Sequence, residues 1–461
     1  MNKQHSLAQK KAFSVFQKVA LDCEAYSRFL GERNFNYKKV SASQFEEIPI
    51  SDKKTYLKKH TLEKRIYKNK ELSDFYMLSI SSGTTGEPTI WPRHIKRDAY
   101  LETLQTDFLN EHFGVKKKKT LIVVAFGMGA TTAGMLTSKL AWEGSRHGPM
   151  SVITPGVDPE TTIFLIQRLY RQFDQVVCIG YPPFISGFVD LAIKKRHPVK
   201  KWNLKICFTS ESVSAVWRNE MARKTSIKGE TENIVAFYGT TEAGIIGVET
   251  RETHSIIKHC LNDEAIRVAL FNTQSLPTLV EVDMMKKFVE IVGGEVVITV
   301  DQPVPLIRYN LHDRGLFIAA KLVRELLAKT GIIYRPKEPD KLFLAVFGKK
   351  EASRGEPVFY IEDIRYALEQ VSCRHKLTGF FQYKEGRRSG KFVLQLRVYL
   401  KENQKLTRNE QNKFKKEVEE LLKRVKKTQK LTFDVSFGLL VSFVSEDAKI
   451  KYKKGKLQYY L

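Results

Sequence analysis

Between residues 120 and 209 the chain alternates short apolar runs with longer segments of helical spacing, and this alternation restricts the fold more than any other feature. The runs 120–126, 150–154, 175–179 and 205–209 read as strands, and the segments 136–142, 159–173 and 183–194 between them read as helices. Strand and helix repeated in this order form an α/β layer architecture around a largely parallel sheet. No internal repeat of sequence accompanies the alternation.

A chain of 461 residues is too long for one ordinary core and fits a large domain followed by a small one. Its 42% hydrophobic and 11% aromatic residues mark it as globular rather than disordered. The first twenty residues are polar and Lys-rich, unlike a signal peptide, and the longest apolar run, 121–126, is far short of the roughly 20 residues a membrane helix needs. A cytoplasmic protein without a membrane span is therefore expected. Cys23, Cys178, Cys207, Cys260 and Cys373 are scattered without CxxC spacing, which argues for buried free thiols and against a disulfide framework or a zinc site. Lys and Arg number 77 against 51 acidic residues, a formal net charge of +26. Such a surplus favours polyanionic partners, among them nucleic acid, coenzyme A and acidic carrier proteins, without choosing between them.

The densest cluster of chemistry is Ser81-Ser82-Gly83-Thr84-Thr85-Gly86-Glu87-Pro88-Thr89, after an apolar segment, 75–80, read as a strand. Two glycines permit a tight loop whose backbone N–H groups converge on an anion, and the hydroxyls add donors without bulk. On its own the run fits a phosphate cradle or an ordinary solvent loop equally well. It lacks the Gly-Lys-Ser/Thr ending of a Walker loop, which argues against a P-loop nucleotidase.

This run resembles the ATP-phosphate loop of the acyl-adenylate-forming enzymes, nearest to the branch typified by phenylacetate:CoA ligase. Tyr238-Gly239-Thr240-Thr241-Glu242 resembles that family's Tyr-Gly-x-Thr-Glu motif. The likeness implies that Tyr238 lies against adenine, that the Thr241 hydroxyl approaches the α-phosphate, that Glu242 helps to hold Mg²⁺, and that Gly239 and Thr240 belong to the same ATP site. The segment from Pro305 to Asp313 resembles the ribose motif, with Asp313 matching the carboxylate that accepts the ribose hydroxyls, although Leu311 and His312 depart from the usual residues. By position, Gly127, Gly129, Ala130, Tyr181 and Glu211 are expected around the acyl group. Glu87 stands where relatives commonly carry Lys, and its carboxylate is expected to face solvent.

The resemblance also implies a large domain, 1–347, with mixed sheets and flanking helices, and a small mobile α+β domain, 348–461, joined by a hinge near 348–355. Lys349 occupies the place of a ribose-contacting Arg, which it cannot replace as a bidentate donor. Gly455-Lys456 resembles the C-terminal Gly-Lys pair whose lysine neutralises charge during adenylation. In the small domain the reading is helix 361–370, strands 377–383 and 391–400, helix 407–427 opened by a Thr407/Glu410 capping box, and strand 431–437. The implied activity is ATP-dependent conversion of a carboxylic acid, aryl or otherwise apolar, to acyl-AMP with release of pyrophosphate. Transfer to a thiol follows, coenzyme A first among the acceptors and a carrier protein or protein cysteine as the alternatives. A catalytically degenerate scaffold that binds nucleic acid is the reading from a different class.

Overall fold

The computed structural model describes residues 3–81, 87–225, 231–349, 359, 361–388, 391–401, 403–428, 437–445, 452–453 and 456–457. The chain begins with α1 (Lys3–Asp22), α2 (Glu24–Gly31) and the single-turn α3 (Leu62–Arg65). An antiparallel pair, β1 (Met77–Ile80) and β2 (Ile90–Arg93), leads into α4 (Ile95–Phe113). The alternating region then supplies β3 (Thr120–Ala125), α5 (Thr132–Gly144), β4 (Met150–Ile153), α6 (Pro159–Leu169) and β5 (Gln175–Gly180). It continues through α7 (Pro182–Lys194), β6 (Leu204–Phe208), α8 (Ala215–Thr225) and β7 (Ile234–Thr240). Helix starts follow local chemistry: Asp158 accepts from the Thr161 N–H at 3.1 Å, and Pro159 needs no intrahelical donor at the first position of α6.

After β8 (Gly244–Val248) come α9 (Arg251–Asn262), α10 (Glu264–Phe271), β9 (Thr278–Val282), β10 (Phe288–Val292) and β11 (Glu295–Val300). The long strand β12 (Leu306–Ala319), α11 (Ala320–Ala328) and β13 (Leu342–Lys349) complete this part. The described strands β3 to β13 join in one sheet in the order β10-β11-β12-β13-β9-β8-β7-β6-β5-β3-β4. Only β4, β3, β5, β6 and β7 run parallel; the remaining neighbours are antiparallel. The expectation of a largely parallel sheet thus describes the half made by the alternation. The other half is built around hairpins, which need no helical crossover.

Every residue of β3 and β5 is buried, as continuous apolar strands covered on both faces must be. Helices α4 to α8 pack onto this parallel half, while α1 and α2, through Phe16, Tyr26 and Phe29, share a second core with β10 to β12. All five cysteines are buried free thiols. No described helix is long and apolar enough to cross a membrane.

A small C-terminal domain contains α12 (Ile361–Gln370), β14 (Leu377–Arg388), β15 (Lys391–Leu400), α13 (Arg408–Thr428) and β16 (Phe437–Ser445). Its sheet is β14-β15-β16, and its core, including Ile364, Phe381, Leu394, Phe414 and Val418, is separate from those of the large sheet. Thr407 and Glu410 exchange the reciprocal bonds of a capping box, at 2.8 and 3.3 Å.

Three elements differ from the sequence reading. The sequence of 266–300 predicts a stretch dominated by strands, yet 264–271 is helix α10. Asp263 caps it by accepting from the Ile266 N–H at 2.9 Å, and Ile266, Leu270 and Phe271 bury one face at helical spacing. The last strand is Phe437–Ser445, parallel to β15, where 431–437 was expected; 431–436 lie outside the described residues. The apolar residues Phe13, Phe16, Val19 and Leu21 predict one helix over about 6–30, and that helix breaks at the buried Cys23, whose backbone is extended.

Candidate active site

Open α/β sheets bind ligands beyond the carboxyl ends of their parallel strands. Here a cavity of about 270 Å³ lies at that edge. Phe126 follows β3, Tyr181 follows β5, Thr209 to Ser212 follow β6, and Phe237 to Glu242 close β7; all line the cavity. Asp313 on β12 borders it on the antiparallel side, and Gln105 of α4 with Leu136, Thr137 and Leu140 of α5 on the other.

The first motif is anchored at its base. Ser81 N–H donates to the Thr89 carbonyl at 3.0 Å, and the Ser81 hydroxyl accepts from Thr89 N–H at 2.9 Å, so the two ends of the loop are clipped together. One residue earlier, Ile80 N–H donates to the Ala130 carbonyl at 2.8 Å, and the Thr132 hydroxyl donates to the Ile80 carbonyl at 3.1 Å. These bonds tie the loop base to the start of α5. Ser81 is buried and lines the cavity; Ser82, Gly83, Thr84, Thr85 and Gly86 lie outside the described residues. Glu87 is exposed.

The second motif is the end of β7 and a tight turn into β8, not the start of a helix. The Thr240 hydroxyl accepts from Ala243 N–H at 3.1 Å, and Gly244 takes a left-handed φ of 67°, which glycine adopts without strain. From outside, Arg97 donates to the Ala243 carbonyl at 2.9 Å and Gln302 to the Glu242 carbonyl at 2.9 Å. The backbone is thereby held while the Thr241 and Glu242 side chains border the cavity. At the root of β7 the buried Glu249 carboxylate accepts from Ala236 N–H at 3.0 Å and pairs with buried Arg218 at 2.9 Å. Burial alone would raise this carboxyl, but Arg218 and His254 hold it down at about 2.

The third motif meets the second directly. Tyr238 donates its hydroxyl to Asp313 at 2.5 Å, and both side chains are buried at the cavity wall. Burial, and then the Asp313 charge, push the phenol well above its ordinary value, so it stays a donor at neutral pH. Asp313 reaches this place through a bulge. Asn310 faces Val297 and Arg314 faces Glu295, so β12 carries extra residues between them, and His312 there has a φ of 57°. The His312 ring stands 3.4 Å from both Asp52 and Glu295, which gives the departure from the family pattern a structural role.

Asp313 also pairs across the sheet with Lys349, whose side chain lies outside the described residues. Gly348 borders the cavity with a φ of 89°, and a Cβ at that position would collide with Glu362 of α12. Residues 350–355 of the expected hinge lie outside the described residues. Lys456 is described only in its backbone, paired with Lys453.

Of the residues expected around an acyl group, Tyr181 and Glu211 line the cavity, whereas Gly127, Gly129 and Ala130 do not. The loop that holds these three turns away to support β1, and the residues on either side, Phe126 and Thr131, take their place. Burial, and then the Glu211 carboxylate, push the Tyr181 phenol up. Ser210, beside Glu211, is held at a left-handed φ of 77°, a strained setting for a residue with a side chain. Helix α12 docks against this same turn: Arg365 donates to the Ser212 carbonyl and lies 3.4 Å from Glu211, and Ser214 donates to Glu369. Among the described residues no group of three or more His, Cys, Asp or Glu is placed to hold a metal ion.

Gln105, Thr132 and Thr137 line the cavity without belonging to any motif. Their signal in the sequence is faint but real. Helix α4 buries Asp98, Leu101, Glu102, Gln105 and Leu109 at helical spacing, and polar residues on a buried stripe call for partners.

No family model and no curated protein matches the sequence. Solved structures do match. A 2-hydroxyisobutyryl-CoA ligase in the postadenylation state with 2-HIB-AMP is similar at a TM-score of 0.65 and 15% identity, over 98% of this chain and 88% of that one. An open conformation of that ligase with 2-HIB-AMP and CoA is similar at 0.59 and 13%, over 98% and 90%. An acyl acid amido synthetase in complex with 2,4-DB is similar at 0.57 and 14%, over 96% and 87%. The chain therefore has the fold of the acid-adenylating ligases, a large sheet domain followed by a small α+β domain.

Proposed function

We propose that the protein activates a carboxylic acid with ATP and passes the acyl group to a thiol, coenzyme A in the first place. The observation that carries this reading is the convergence of three motifs far apart in sequence, at Ser81, at Tyr238 to Glu242 and at Asp313, on one cavity at the carboxyl edge of the sheet. In the first half-reaction a carboxylate oxygen bonds to the α-phosphorus of ATP, and the bond from that phosphorus to pyrophosphate breaks. In the second the thiol sulfur bonds to the acyl carbon, its proton leaves to solvent, and the anhydride C–O bond breaks to release AMP.

Both reacting partners of the first step are anions, so the site must offset charge. The loop from Ser81 to Gly86 is assigned to the phosphates, Thr241 to the α-phosphate, Asp313 and Lys349 to the ribose, and Lys456 to neutralising the developing charge. Tyr238 holds the Asp313 carboxylate in one orientation by donating to it. Glu242 and the hydroxyls beside it are hard oxygen donors, the set that Mg²⁺ accepts, and the ion when bound offsets phosphate charge. The apolar lining from Phe126, Leu136, Leu140, Phe237 and Ile245 supports an aryl or other apolar acid. The division into domains at 1–347 and 348–461, with rotation about Gly348, is part of the same proposal.

The test is carboxylate-dependent ATP–pyrophosphate exchange over aryl, arylacetic and fatty acids, with Lys456→Ala alongside. Exchange that depends on an acid and falls at least tenfold in the variant is expected. Thioester formation with coenzyme A, measured against acyl transfer to a carrier protein, then decides the acceptor.

A further inference from the structure

The side of the cavity away from Asp313 lies between α4, α5 and the β7–β8 hairpin, and its lining there is mainly apolar: Leu136, Leu140, Phe237 and Ile245. One residue breaks that character. Gln105 projects from α4, lines the cavity, and is only 2% exposed. Its side-chain oxygen is fully buried and has no hydrogen-bond partner. A buried amide oxygen left unpaired is destabilising, so helices seldom keep one on an apolar face where Leu or Met would fit. The neighbouring polar groups of α4 are committed elsewhere: Asp98 to Arg93 and Tyr76, and Glu102 to Thr106. Thr137 of α5 adds a hydroxyl to the same part of the lining.

We infer that Gln105 is a specificity-determining residue, and that the acid this site takes has an apolar body with a hydroxyl at the end remote from its carboxylate. The inference rests on the adenylation reading and deepens it. With the carboxylate directed toward Thr241 and the nucleotide, the remote end of an apolar acid enters the region between α4 and α5, where the Gln105 amide meets a hydroxyl that can accept from its N–H or, with the amide turned over, donate to its oxygen. Hydroxyaryl acids and ω-hydroxy acids present that hydroxyl; their unsubstituted analogues leave the amide unpaired. Sites built around such a bond reject the analogue strongly, because the buried group loses its partner.

The test compares matched acids in ATP–pyrophosphate exchange: 4-hydroxybenzoate with benzoate, 4-hydroxyphenylacetate with phenylacetate, and ω-hydroxy with unsubstituted fatty acids of equal length. The wild type is expected to favour the hydroxylated member of at least one pair by about 100-fold or more in kcat/KM. Gln105→Met is expected to abolish that preference by lowering kcat/KM for the hydroxylated acid alone, with an unfolding temperature equal to or above that of the wild type. Thr209→Val, which removes a buried hydroxyl without a hydrogen-bond partner from another part of the lining, is expected to leave the preference in place. Exchange without preference for a hydroxyl, or a preference lost in Thr209→Val but kept in Gln105→Met, overturns the inference and leaves adenylation standing. A large fall in unfolding temperature with specificity unchanged makes Gln105 a structural residue and also overturns it. Absence of exchange with every acid overturns the adenylation reading and this inference with it.

Discussion

Tyr238 and Asp313 stand 75 positions apart in sequence and share one short hydrogen bond at the cavity wall. On the proposed reading Asp313 accepts the ribose hydroxyls and Tyr238 orients it, so the two substitutions separate. Asp313→Asn keeps the shape, removes the charge, and is expected to raise the KM for ATP at least tenfold, since hydrogen bonds to charged groups contribute about 1.5–3 kcal/mol. Tyr238→Phe leaves the carboxylate in place and is expected to cost less in KM while lowering stability by about 1–3 kcal/mol, because Asp313 loses a buried donor. Initial-rate kinetics and urea unfolding of the two proteins measure both effects. An Asp313→Asn enzyme with unchanged KM would remove the ribose assignment. Each of these residues was legible in the sequence as a motif member. The bond between them was not, because it depends on how a bulge in β12 turns Asp313 toward β7.

At the level of elements, the docking of α12 onto the turn after β6 has a built-in dependence on pH. Burial pushes Glu362 and Glu369 up to about 7 each. Arg365, Arg314 and Asp363 act on Glu362, and Ser214, Arg365, Arg374 and Glu220 on Glu369, yet burial dominates both. When α12 leaves the turn these carboxyls meet water and return to the ordinary carboxylate range. The docked state therefore binds more protons than the undocked one. Docking is strongest below the ordinary carboxylate pKa, weakens as the pH rises toward about 7, and levels off above it. Hydrogen exchange of α12 as a function of pH is expected to follow this course, and Glu362→Gln with Glu369→Gln to flatten it. A wild-type profile that is already flat would sink the argument. The sequence contains the acids and the helix period of 361–370. It does not contain their enclosure, which the turn 212–214, Ser275 and Gly348 create from distant parts of the chain.

For the molecule as a whole, the surplus of 26 positive charges bears on how anionic substrates would arrive on the proposed reading. A basic surface attracts anions such as ATP and coenzyme A at long range, an effect that salt screens over a Debye length of about 8–10 Å near physiological strength. The association rate for ATP is expected to fall severalfold, on the order of tenfold, between about 20 mM and 500 mM salt. Dissociation should change less, and stopped-flow binding measures both. Rates independent of salt would show that the surplus lies away from the route to the cavity.

What the sequence determined by itself is local: the alternation that makes the parallel half of the sheet, the capping box at Thr407, and the three motifs in their order. These follow from periodicity and from residue chemistry within a few positions, so a linear reading reaches them. Helix α10 escaped that reading because Ile266, Val268 and Phe271 favour strands locally, while the Asp263 cap and one-sided burial favour a helix in context. The tertiary structure alone decided the antiparallel half of the sheet, the turning away of Gly127 to Ala130, and the arrival of Gln105 beside residues from α5 and β7. Each of these depends on which buried faces meet. That choice is made by packing between segments tens to hundreds of residues apart, where the energy of a contact has no trace in the spacing of its neighbours.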